Sequence, residues 1–250
     1  LFYLSLIVYP APGRFSICHD VVTSRSLLQP SATIGSITLI AVLIFGSFFY
    51  RRKHPLVTYA IVFFFLNHAV ESTLLPLELV FEHRNYIPTM LVFLPFSMLA
   101  AKLLGMHGAR QRLRRGATVA FLCLPMALGV AAYIRNFDWL SRERLWKDAA
   151  AHCPDSWRPF HNVGVQYLER GAYSEAVQWF RKALEKKNTT LLSEKHRTLY
   201  NLGVAYQALD RTEQALAAYE LAEEMYPSMT GPRVNRGVIL MKRGELDGAE

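Results

Sequence analysis

His161-Asn162-Val163-Gly164-Val165-Gln166-Tyr167 and Tyr200-Asn201-Leu202-Gly203-Val204-Ala205-Tyr206 are two copies of one phrase. Each sets an asparagine two residues before a glycine and a tyrosine three residues after it. Gly237 follows Gly203 by 34 residues, again with an asparagine, Asn235, two places before it. The downstream spacing repeats as well: Ala176, Phe180 and Ala183 after the first copy, and Ala215, Tyr219, Ala222 and Pro227 after the second. After the third copy comes Ala249. Small Gly and Ala side chains let paired helices approach, while Tyr and Phe fill the space between them. A period of this length predicts stacked helix pairs, an α-solenoid, rather than a closed globule.

The pattern resembles the tetratricopeptide repeat, with its W-x2-L-G-x2-Y…A-x3-F…P framework. The repeats are placed at 157–190, 196–229 and, incomplete, 230–250. Gly164 and Gly203 are 39 residues apart, so five extra residues sit near Asn188–Leu192, between repeats. One period further back, Trp146, Ala149 and Pro154 match the second half of an earlier repeat. The junction 137–156 is therefore expected to carry a helix, 139–152, that caps the first repeat.

Asn162, Asn201 and Asn235 share one register, and repetition should line them along the inner groove. An amide ladder of this kind can hold the backbone of an extended peptide with little regard for its sequence. Arg158 and Arg197, four residues before Asn162 and Asn201, add positive charge to the groove. The competing reading is that these asparagines serve helix packing.

Upstream of residue 137 the chemistry changes. Residues 1–136 hold 12 Lys or Arg against 4 Asp or Glu, and the remaining residues hold 16 of each. All of the net charge of +8 therefore belongs to the apolar part of the chain. That argues against a nucleic-acid patch and for loops beside a lipid bilayer. Apolar runs near 1–9, 31–50, 56–72, 89–104 and 117–134 read as spans, or parts of spans, of a polytopic membrane domain occupying 1–136. About 20 residues suffice to cross about 30 Å of hydrocarbon. Arg51-Arg52-Lys53 and the basic turn 110–115 fall on one side, which is cytoplasmic by the positive-inside rule. The repeats and the loop between the third and fourth runs then lie outside, in a periplasm or lumen.

That loop is the second informative stretch: Glu71-Ser72…Pro76-Leu77-Glu78-Leu79-Val80-Phe81-Glu82-His83-Arg84-Asn85-Tyr86-Ile87-Pro88. Ionisable groups beside a bilayer are costly unless they face water or a partner. Glu78 and Glu82 would share one face of a helix. Two readings fit equally. In one, Arg84 and His83 bind the phosphate of a sugar-bearing lipid, while Glu71, Glu78 and Glu82 orient sugar or acceptor. In the other, Glu82 pairs with Arg84 and the cluster only shapes a turn.

Three cysteines, Cys18, Cys123 and Cys153, show no metal-ligand spacing. A Cys18–Cys153 bridge is possible on topology, and three free thiols are the safer expectation. No G-x-S-x-G, Walker A, GxGxxG or HExxH motif occurs. Asn188-Thr189-Thr190 is a glycosylation sequon on the side taken as external. The chain starts on Leu1 within an apolar run and stops at Glu250 in mid-pattern, and is expected to be part of a longer protein.

The stretch from Glu71 to Pro88 resembles the central signature of the transmembrane and tetratricopeptide-repeat O-mannosyltransferases and their bacterial relatives. His19-Asp20…Ser24-Arg25-Ser26-Leu27-Leu28 is similar to an upstream loop of that family, and Trp146…Pro154 is similar to its junction. The resemblance implies a GT-C-type glycosyltransferase that moves a sugar, such as mannose, from a polyprenyl-phosphate donor to a protein hydroxyl outside the cytoplasm. The implied catalytic acid lies upstream of Leu1, so no catalytic residue is assigned here. No metal and no cofactor are expected, and the partners would be the bilayer, the polyprenyl-phosphate sugar and a protein acceptor held by the repeats. The asparagine ladder is similar to the peptide-holding ladder of the O-GlcNAc transferase superhelix. The rival reading is non-enzymatic: a membrane-anchored repeat scaffold that assembles other proteins.

Overall fold

A computed structural model describes residues 2–19, 26–73, 86–105, 111–186 and 195–244. These are helices joined by turns, in two compact units. One comprises residues 2–17 and 26–137, the other Cys18, His19 and residues 138–244.

The first unit contains α1 (Phe2–Val8), α2 (Ala32–Phe49), α3 (Pro55–Thr73), α4 (Tyr86–Thr89), α5 (Phe93–Leu104) and α6 (Gln111–Asn136). Among the described residues, three stretches are long and apolar enough to cross a membrane: Ala32–Phe49, Tyr86–Leu104 and Gln111–Leu140, with mean hydropathy 2.1, 1.8 and 2.0. The apolar part of α3, Pro55–Ala69, is shorter. Helix α2 packs on α3, α3 on α4 and α5, and α5 on α6. Pro55 opens α3 and Pro95 falls in the first turn of α5, where no backbone donor is lost, whereas Pro125 stands inside α6. Polar groups do the joining. Thr58 Oγ1 donates to the Ser47 carbonyl at 2.8 Å, and both residues are buried. The Arg14 guanidinium closes the end of α1 by donating to the carbonyls of Ser5 (2.9 Å) and Tyr9 (2.8 Å).

The second unit contains α7 (Arg142–His152), α8 (Trp157–Glu169), α9 (Tyr173–Leu184), α10 (Lys195–Ala208), α11 (Thr212–Met225) and α12 (Thr230–Arg243). Ser141 starts α7 by accepting the Arg144 N–H on its hydroxyl, an N-cap that satisfies one orphan donor of the first turn. Successive helices pack in order, α7 on α8, α8 on α9, α9 on α10, α10 on α11 and α11 on α12, as a solenoid requires.

The framework glycines have a direct cause. A Cβ on Gly164 would lie 2.6 Å from Phe180 Cε1, and one on Gly203 would lie 2.5 Å from Tyr219 Cε1. Each glycine thus admits the aromatic ring of the partner helix, and both rings are fully buried. Seven residues after each framework glycine the chain turns through a left-handed residue: Gly171 (φ 76°), Asp210 (φ 57°) and Gly244 (φ 76°). The first two turns are closed identically, by Ala172 N–H to the Tyr167 carbonyl and by Arg211 N–H to the Tyr206 carbonyl, both 2.9 Å.

One expectation is corrected. Cys18 and Cys153 form a disulfide, rather than standing as free thiols, and Cys123 is a free, exposed cysteine. Cys153 is the fully buried cap residue at the end of α7, and that helix end brings its Cα to 6.1 Å from that of Cys18, within bridging range.

Candidate functional site: the repeat groove

Helices α8, α10 and α12 are the first helices of the three repeats, and they carry Asn162, Asn201 and Asn235 at equivalent positions. Helix α10 packs on both α8 and α12, so the three positions form a series. All three residues are half-buried, yet their amides differ in use. Asn235 Nδ2 donates to Tyr219 Oη at 3.2 Å, and that hydroxyl donates to Gln207 Oε1 at 2.8 Å. Burial pushes the Tyr219 phenol up to about 12, so it stays a neutral donor. Asn235 therefore serves packing between the second and third repeats. Among the described residues, the side chains of Asn162 and Asn201 make no hydrogen bond.

Arg158 and Arg197 are exposed. On the third repeat, Arg233 and Arg236 both pair with Glu223 of α11, at 2.9 and 3.2 Å. Arg233 is exposed as well, so exposed arginine is found on all three first helices, while the uncommitted amides are on the first two repeats.

Two features escaped the sequence reading. His161, next to Asn162, lies with Nδ1 2.9 Å from the buried Thr198 hydroxyl and links the first repeat to the second. Burial, and then the charge of Arg197, hold the imidazole down to about 4, so it is neutral at physiological pH. The second is a clamp between α7 and α8. Glu143 pairs with Arg170 and with Lys147 (2.6 Å), and Tyr167 Oη donates to the same carboxylate at 3.2 Å. Hydrogen bonds from Lys147 and Arg170 hold the Glu143 carboxyl down to about 2. Only the i, i+4 spacing of Glu143 and Lys147 was visible as a signal.

A separate cleft of about 450 Å³ lies among α9, α10 and α11, lined by Leu184, Leu199, Leu202, Tyr206 and Leu221 with Arg181 and Glu185. None of the groove residues lines it. In the first unit an apolar crevice of about 190 Å³ is lined by Leu4, Leu43, Ala60, Phe64, Phe65 and Phe96, among others. Glu71 lies on α3, and its side chain is outside the described residues, as are Glu78, Glu82, His83 and Arg84. The sequon at 188–190 also lies outside them.

Residues 158–228 match the tetratricopeptide repeat family profile, across the helix pairs whose glycines and aromatics interlock. This segment is built of tetratricopeptide repeats.

The chain is also similar to anaphase-promoting complex subunit 6 of Arabidopsis thaliana, 29% identical over 90 residues, or 36% of this chain and 17% of that protein. It also aligns with the TPR repeat-containing protein MJ1428 of Methanocaldococcus jannaschii, 38% identical over 80 residues (32% and 13%). Superkiller protein 3 of Saccharomyces cerevisiae is 30% identical over 91 residues (36% and 6%). The matched part covers less than a fifth of each relative. These likenesses concern the tetratricopeptide fold.

Proposed function

We propose that the tetratricopeptide repeats are a protein-binding platform whose groove holds an extended segment of a partner, and that the apolar helices anchor this platform in a membrane. The observation that carries the reading is the pair of uncommitted amides, Asn162 and Asn201, at equivalent positions of α8 and α10, helices that also carry the exposed Arg158 and Arg197. Amides suit a peptide backbone, and arginine suits carboxylates on the same partner. The test is a binding titration against a library of extended peptides. Replacing Asn162 and Asn201 together by Ala should weaken binding at least tenfold, while helicity and unfolding midpoint stay unchanged. Replacing Asn235 should instead lower the midpoint. Unchanged affinity in the double variant removes the groove reading.

Two observations support a position of the repeats outside the cytoplasm: the basic clusters at 51–53 and 110–115, and the Cys18–Cys153 bridge, a bond typical of oxidising compartments. Thiol alkylation of the unreduced protein should label one cysteine, Cys123.

A second reading is favoured by the sequence from Glu71 to Pro88: lipid-linked sugar transfer to the bound protein. Arg84, helped by His83, would hold the donor phosphate, with Glu71, Glu78 and Glu82 orienting sugar or acceptor. The apolar crevice around Phe64 would suit a prenyl tail. Charge on the departing phosphate grows as the glycosidic bond breaks, so a fixed guanidinium would act most strongly in the transition state. In a full-length protein that carries the implied upstream acid, Arg84→Ala and Arg84→Lys should each slow transfer roughly 30- to 1000-fold, equivalent to about 2–4 kcal/mol. Wild-type rates in a folded Arg84→Ala protein would leave the scaffold reading in possession.

A further inference from the structure

The end of α6 changes character within a few residues. The helix begins with Arg112, Arg114 and Arg115 and then runs, without a charged side chain, from Gly116 to Ile134. None of its residues is buried against the protein. At its far end Tyr133 and Phe137 meet edge to face, with ring centroids 5.2 Å apart. A single 3-10 turn, Phe137–Leu140, continues the chain, and Ser141 then caps α7. In this short stretch Tyr133, Trp139 and Leu140 are 67%, 57% and 67% exposed, and Phe137 is 44% exposed. Water is a poor solvent for four such exposed side chains within eight residues of sequence, and exposed apolar surface of this kind marks an interaction site.

We propose that Tyr133–Leu140 is an interfacial anchor seated in the headgroup layer of a lipid bilayer, at the level where the apolar span of α6 ends. This rests on the reading that α6 crosses a membrane. Two arguments choose lipid over a protein partner. The first is continuity, because the aromatic residues end a run that has no charged side chain and no buried residue. The second is distance. Gly116 to Tyr133 is about 18 residues, or about 27 Å of helix at 1.5 Å per residue, close to the thickness of a hydrocarbon core. The arginines and the aromatics thus sit one bilayer apart, each at a depth that suits it. Tyr and Trp favour that layer because the ring body is apolar while the O–H and N–H need polar acceptors.

The experiment is spin-label depth measurement on the full chain in phosphatidylcholine nanodiscs. Each label sits on one introduced cysteine in a Cys123→Ser background. Leu140→Cys keeps the aromatic residues intact, Met126→Cys reports the middle of α6, and Ser174→Cys reports the exposed start of α9. The anchor predicts that collision with a water-soluble nickel chelate at 140 is several-fold lower than at 174, yet measurably higher than at 126. A label at 140 as open to nickel as that at 174, with 126 still protected, overturns the anchor and leaves the span standing. Equal nickel access at 126 and 174 overturns the span itself, and the anchor with it.

Discussion

The two units are built from the same element in opposite senses. In the repeat unit the apolar side chains are inside: Val163, Ala176, Phe180, Ala215 and Tyr219 have essentially no exposed surface. In the first unit α2 turns Val42, Phe45 and Phe49 outward and buries Ser47, which meets Thr58 of α3. Soluble helices gain by removing apolar area from water. Helices in lipid gain nothing from hiding leucine, so their contacts are made by small residues and polar groups. The contrast fits the reading proposed above, a repeat unit made for water and candidate spans made for lipid.

The sharpest way to break this contrast is to remove one aromatic ring from each unit. Phe180→Ala should cost about 3–5 kcal/mol of repeat-unit stability, since the ring is fully buried and no neighbour can fill its place. Phe45→Ala should change stability in nanodiscs by no more than about 0.5 kcal/mol. Chemical denaturation followed by far-UV circular dichroism measures both, and a large effect at Phe45 would mean that its face is packed against protein.

Adding a methyl group probes the same difference. Gly164→Ala drives a Cβ into Phe180 and should cost about 1–3 kcal/mol. Gly46→Ala on α2 has nothing within 4 Å, so the better helix propensity of Ala should show through, up to about 1 kcal/mol of stabilisation. Opposite signs in thermal midpoint are the expected result.

A milder perturbation uses pH. His161 has its folded pKa depressed to about 4, below the ordinary value of about 6.5. The unfolded chain therefore binds the proton first, and the stability linked to His161 is complete above about pH 6.5 and lost as pH falls towards 4. Glu143 is also depressed, so its contribution is complete above the ordinary carboxylate range and fades towards about pH 2. Denaturation midpoints at intervals from pH 7 to 3 should fall in two steps, and His161→Phe should remove the upper one.

The repeats were legible in the sequence because their signal is periodic and redundant. Gly164 and Phe180, or Gly203 and Tyr219, are separated by one fixed interval, and the structure shows that interval as a physical contact. The apolar runs at 31–50, 56–72 and 117–134 fall on helices, although the last helix begins at Gln111 and Tyr86–Thr89 forms a short helix of its own ahead of α5. What stayed hidden depends on distances that no local spacing encodes. Cys18 meets Cys153 across 135 residues, and His161 meets Thr198 across 37. The different use of Asn235 also could not be read, because its partner Tyr219 is matched in the first repeat by Phe180, which has no hydroxyl to accept from Asn201.

The left-handed residues at Gly171, Asp210 and Gly244 carry one more implication. Each follows its framework glycine by the same seven residues, although the glycines themselves are 39 and 34 apart. Length variation is therefore admitted at the joints and refused within the modules. An insertion between α9 and α10 adds only a slowly growing loop-closure cost. One inserted between α8 and α9 would take Phe180 out of register with the notch at Gly164. Spliced or duplicated versions of this array should accordingly differ in their joints and keep the hairpins whole.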